Sequence, residues 1–384
     1  MSAGSANRSR ALSALVCSTL LLAGCAGTGG SKPEAGAADQ ASTGKSVAPP
    51  PMMQQIVPGP ITLKEAFLAR RDASSRLVGL TFVQNPIGAP WLYVADAATD
   101  DLVIFDAPTG RFLSRFGKRG SGASEFNGIT GIDAIEATLF VSEAGNKRVQ
   151  VFYLPENNPM ASFGEEELES PQGVYVRSLG LGRYQPYVVD AVGGQLVVKV
   201  FEVSSASAPS MPTADRPYSY DTKPTDLNKK LIGTIPLNVP VGTAVSVEFD
   251  DGAKRAMVAY GKQLLLLDYE GHAKGEPHTL PDVVGSASGI GLFACPNDAA
   301  KGYWIVGDRA DDSQDFRVYD RVTLAPLTFF RGEKLRDSAA MTFTMESIAF
   351  FNFGATFALH EGSAVAALGW EPLARQTGLR RICL

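Results

Sequence analysis

The chain has 384 residues, 45% of them hydrophobic, and a formal net charge of −5. That length and composition can furnish a sizeable core and exclude a disordered or fibrous chain. The acidic balance excludes a general nucleic-acid-binding surface, although it permits a local basic pocket.

In chain order, residues 1–24 read as a leader. Arg8 and Arg10 form its positive region and residues 11–22 its apolar run, shorter than the ~20 residues a spanning helix needs. Residues 25–60 are rich in Gly, Ala, Ser and Pro and nearly free of aromatic side chains, which predicts a flexible tether. Residues 61–384 form the folded domain. Its first stretch, 61–67, is expected to pair with the last sheet unit near 364–368, because a closed ring of sheets removes its open edge this way.

The domain repeats. Residues 126–164 make one unit: alternating runs broken by the polar turn Glu143–Lys147, with Gly145 and Asn146 expected to supply its positive φ. The anchor of each unit is an apolar pair followed by a polar residue: Asp96, Glu143, Asp190, Tyr260, Asp308 and Glu361. These recur at about 47 residues, save for one long step around a Ser-, Pro- and Thr-rich insertion at 204–230. A four-stranded unit at that period predicts an all-β, six-bladed β-propeller with four-stranded blades. The blades are expected at 77–117, 126–164, 171–203, 231–275, 287–332 and 342–370. Residues 372–378 read as a short helix ended by glycine.

No Ser-His-Asp set, Cys-x-x-Cys pair or His-Glu-x-x-His run is present in the sequence. The acidic anchors Asp96, Glu143, Asp190, Asp308 and Glu361 are the constellation with chemical promise. Placed around one mouth of the channel, such carboxylates would suit calcium. The alternative is that each caps its own turn. Cys295 and Cys383 are either a disulfide, expected in an oxidising compartment, or two free thiols.

Three resemblances add to this. Leu22-Ala-Gly-Cys25 resembles the bacterial lipobox, which implies cleavage before Cys25 and its lipidation. Ala26 after it implies the outer membrane. Leu92-Tyr-Val-Ala-Asp96 and residues 138–152 look like NHL repeats. The chain from Ile61 onward resembles the β-propeller phytases and their phytase-like lipoprotein relatives. The likeness is carried by Gly289-Ile-Gly-Leu-Phe293, Gly302-Tyr-Trp-Ile-Val-Gly-Asp308, Phe316-Arg-Val-Tyr-Asp-Arg321 and Phe357-Ala-Leu-His-Glu361. Gly173-Val-Tyr-Val-Arg-Ser178 and Val188-Val-Asp190 look like that family's third blade. The family resemblance implies a 3-phytase activity: bound calcium holds phytate and activates the attacking water. It implies Asp190, Asp308 and Glu361 as acidic-face residues and Arg177 and Arg183 as phosphate-facing cations. The sequence departs from the family at Val258-Ala-Tyr-Gly261, Ser288-Gly289 and Met345-Glu-Ser-Ile348, where the family carries acidic runs. Two functions are therefore expected. One is a calcium-dependent phosphomonoester hydrolase acting on inositol phosphates. The other is a non-catalytic propeller that binds a ligand or an envelope protein, its only membrane contact being the lipid anchor.

Overall fold

A computed structural model describes residues 59–72, 74–84, 88–205, 227–311 and 313–383. The expected leader, Cys25, the tether up to residue 58 and most of the insertion lie outside the described residues.

The strands assemble as six antiparallel four-stranded blades. Blade one is Leu77–Val83, Trp91–Asp96, Asp101–Asp106 and Phe112–Phe116; blade two is Ile129–Ile135, Thr138–Glu143, Arg148–Tyr153 and Asn158–Phe163. Blades three to six begin with Pro171–Gly180, Val245–Asp250, Ser286–Ala294 and Met341–Thr344. These first strands are the innermost. Each neighbours the first strand of the next blade, and the sixth meets the first, so the ring closes. The result is the expected all-β, six-bladed propeller.

The core is divided in the same way. The six apolar clusters lie one to a seam between adjacent blades, as with Leu92, Val94 and Phe105 of blade one against Phe357 and Val365 of blade six. A middle strand is therefore covered on both faces. That is why Thr138–Glu143 is buried at every position instead of alternating. The turn after it places its positive φ on Lys147, not on Gly145 or Asn146.

Two boundaries differ from the sequence reading. Leu227–Pro240 is the outer strand of blade three, paired with Gln195–Ser205, so blade four starts only at Val245. The insertion sits inside a hairpin rather than between blades, and its polar composition hid that pairing. At the ring closure, Phe67–Arg70 supplies the outer strand of blade six, with Phe67 opposite Ala367 and Arg70 opposite Ala364. Ile61–Leu63 instead runs parallel to the outer strand of blade five, Ile61 opposite Phe330. The amino-terminal segment thus straps two blades.

The helix Trp370–Thr377 ends at Gly378, whose φ of 74° suits glycine. Trp370 stacks on Phe293 of blade five. Cys295 and Cys383 are joined, with their Cα atoms 5.1 Å apart, and this holds the tail against blade five. No helix among the described residues is long and apolar enough to cross a membrane.

Candidate functional site

The five acidic anchors lie at or near the end of the second strand in every blade but the fourth, one strand removed from the channel, and four of them are fully buried. Each of these four accepts backbone N–H groups from the loop that leads into its own blade. Those N–H groups precede the inner strand and have no ladder partner, so an acceptor is needed. Asp96 accepts from Arg76 N at 3.0 Å and Ala98 N at 3.1 Å, and pairs with Arg115 at 3.0 Å. Glu143 accepts from Asn127 N, Asn146, Arg148 and Gln150 at 2.6–2.9 Å. Asp190 takes Ser170 N at 2.8 Å and Lys199 Nζ at 2.7 Å. Asp308 takes Val284 N at 3.0 Å, Gly285 N at 2.9 Å and two Arg317 donors. Burial pushes the Asp96 carboxyl up, but the N–H groups of Arg76 and Ala98, the Ser75 hydroxyl and Arg115 together hold it below the ordinary range.

In blade six this role falls one residue earlier than the sequence anchor. His360 is buried and its Nδ1 accepts Arg336 N at 3.0 Å, while the Glu361 side chain is half exposed beside it. The five carboxylates do not converge. Those of the four buried anchors are already engaged by protein donors, so they lack the free oxygens that a calcium ion takes. Among the described residues the only His, Asp or Glu trio with ligand atoms within 4.8 Å is Asp268, Glu270 and His272, and it contains none of the anchors.

Arg177 and Arg183 lie toward the opposite face. Arg183 opens the strand Arg183–Val192 and Asp190 nears its far end, roughly 20 Å away at ~3.3 Å per residue. Arg183 is exposed and donates to Leu179 O at 3.3 Å. Arg177 lies flat on Tyr269, 3.4 Å from the ring centroid, and donates through Nε to Gln185 at 2.7 Å. Asp251 stands 4.0 Å from it. The structure therefore separates the expected cations from the expected acidic face.

What it brings together instead is the channel, a cavity of about 500 Å³ lined by the inner strands of all six blades. That volume falls in the range of small-ligand sites. Polar latches cross it from blade to blade. Asp133 of blade two accepts from Thr81 of blade one at 3.2 Å and from Val176 N of blade three at 2.8 Å. Tyr175 donates to Val245 O of blade four at 2.6 Å. Among the described residues Glu248 of blade four accepts only from its neighbour Phe249 N, at 2.9 Å. Burial raises the Glu248 carboxyl to about 8, the nearby negative charges of Asp133, Asp251 and Asp250 adding to the effect and the Phe249 N–H opposing it. Burial likewise raises Asp133 to about 6, against the pull of its three hydrogen-bond donors. The Ser246 and Ser288 hydroxyls, also lining the channel, have no hydrogen-bond partner.

Sequence reasoning missed Asp133 and Glu248. The signal was a single acid among apolar neighbours within the first strand of a repeat, as in Ile132-Asp133-Ala134 and Val247-Glu248-Phe249.

Several solved structures are distantly similar to this chain. Hydrazine synthase of Kuenenia stuttgartiensis is 9% identical with a TM-score of 0.48, over 78% of this chain and 97% of that one. The Cps50 (Swd1) β-propeller domain of Myceliophteria thermophila is 11% identical with a TM-score of 0.44, over 78% and 98%. Raptor of Chaetomium thermophilum is 10% identical with a TM-score of 0.48, over 78% of this chain and 24% of that one. Such distant likenesses say nothing about activity. No family model matches the chain, and no curated protein matches it.

Proposed function

We propose that the protein is a non-catalytic, ligand-binding β-propeller of the bacterial envelope, with its central channel as the binding site. In this reading a lipid on Cys25 holds it at the outer membrane, and residues 25–60 tether the propeller clear of the surface. One observation carries the choice between the two expected functions. Four of the five carboxylates expected for a calcium-dependent phytase-like site are spent inside their own blades, while the channel presents carboxyl groups that no cation neutralises among the described residues. Fold likeness alone does not license the enzyme reading.

Phosphate release from phytate by residues 31–384 in millimolar calcium tests this. The expected outcome is release at the buffer rate. Turnover that disappears in an Asp308→Ala, Glu361→Ala double variant overturns the proposal and restores the hydrolase.

A further inference from the structure

The inner strand Val245–Asp250 has two unlike faces. Val245, Val247 and Phe249 pack with the core shared with blade three. Asp250 points the other way, where Arg321 of blade five binds it. By the two-residue period of a strand, Ser246 and Glu248 share the Asp250 face. Asp250 is fully neutralised by Arg255 and Arg321; among the described residues Glu248 has no cationic partner. Ser246 is nine-tenths buried with an unpartnered hydroxyl. Both line the channel, as does Asp133, whose carboxylate also has no cation beside it.

Partly buried carboxyls without a counter-charge, next to a buried hydroxyl without a partner, are costly unless something enters to satisfy them. We propose that the channel takes an aliphatic amine: its ammonium group sits on Glu248 and Ser246, and Asp133 is the counter-charge for a second ammonium of a diamine. This inference rests on the channel being the binding site. The chemistry fits at each point. An ammonium has three donors and no acceptor, and the site offers a carboxylate, a hydroxyl and the unpaired inner edge of the sheet. An anion is disfavoured because Arg177, the only lysine or arginine lining the channel among the described residues, is already stacked on Tyr269 and bonded to Gln185. A divalent metal is disfavoured because no three His, Cys, Asp or Glu ligand atoms converge in the channel among the described residues.

The seat has a pH signature. The charges that act on Glu248 are those of Asp133 on blade two and of Asp250 and Asp251 on its own blade, with Arg255 and Arg321 committed to Asp250, while Tyr175 and Arg177 of blade three line the same channel. The neighbouring strand Ser286–Ala294 brings no titratable group. Glu248 ionises only above about 8, whereas an aliphatic ammonium stays charged to about 10. Binding therefore tightens as pH rises from about 6 to about 9, and one proton leaves Glu248 per amine bound near neutrality.

Calorimetric titration of residues 31–384 with 1,4-diaminobutane, n-butylamine, sodium gluconate and calcium chloride tests the inference. The diamine should bind tightest, n-butylamine more weakly, and gluconate and calcium not measurably. Glu248→Gln should weaken the diamine by roughly tenfold to a hundredfold, the scale of one charge-assisted hydrogen bond. Ser246→Ala should give a smaller loss, and Arg183→Ala none. No amine binding at high pH, gluconate or calcium binding more tightly than the diamine, or an indifferent Glu248→Gln variant overturns the proposal. Glu248→Gln keeps the size of the side chain, and the Ser246→Ala loss reads the same seat independently. Phosphate release from phytate would sink the non-catalytic reading instead, so the two failures are distinguishable.

Discussion

At the scale of single residues the molecule sorts its acids by what neutralises them. Asp96 and Asp250 are held below the ordinary carboxylate range, in both cases against the opposing pull of burial. Glu248 lies at the other extreme. In the unfolded chain it loses its proton near 4.5, and in the folded protein it keeps that proton to about 8. The folded state therefore binds more protons between those values. The stability it contributes is complete below 4.5 and is lost as pH rises through about 8. Asp133 has the same sign between 3.8 and about 6. The opposite sign applies to Asp96 and Asp250, whose contribution is present above 3.8 and lost as pH falls through their lowered values. The thermal midpoint should accordingly fall between about pH 5 and about pH 8, and Glu248→Gln should flatten that fall. The variant should melt higher than the parent at the alkaline end and alike at the acid end. Parallel curves for parent and variant would show that Glu248 titrates normally.

At the scale of the element, the repeated acid is a latch. In four blades it ties the leading loop to the second strand, and a cation on the third or fourth strand completes it. Removing Asp308 leaves both loop N–H groups unpaired and takes from Arg317 its nearer carboxylate. Asp308→Ala should cost about 3 kcal/mol or more, with Asp315 at 3.6 Å compensating Arg317 in part. The urea midpoint checks this; a loss within about 0.5 kcal/mol, ordinary for a surface change, would contradict the latch. The same acids explain what was legible in the sequence. Their period of about 47 residues marked the blades because four of the six tie their leading loop to an acid at the same place. Their function was not legible, because a latch and a metal ligand use the same residue type. Only the partners separate them, and these lie some 20 residues away, as Arg76 N does from Asp96. His360 was hidden for the same reason: an imidazole nitrogen does in blade six what a carboxylate does elsewhere. Strand Leu227–Pro240 escaped because its pairing with Gln195–Ser205 spans the insertion, so no local pattern marked it.

At the scale of the whole molecule, six blades are closed by one borrowed strand, with Phe67–Arg70 in blade six and Ile61–Leu63 strapping blade five. The ring leaves one cavity shared by every blade, and side chains on the inner strands define its chemistry. The central claim is that the acidic anchors serve the fold and that the channel serves the ligand. A ligand that binds only the folded state raises its stability by RT ln(1 + [L]/Kd), so a genuine calcium cluster would reveal itself as a thermal shift. The most direct measurement is thermal unfolding of residues 31–384 in chelator and in millimolar calcium. The account predicts the same midpoint in both. A rise of several degrees in calcium that vanishes in Asp96→Asn or Asp308→Asn would contradict it.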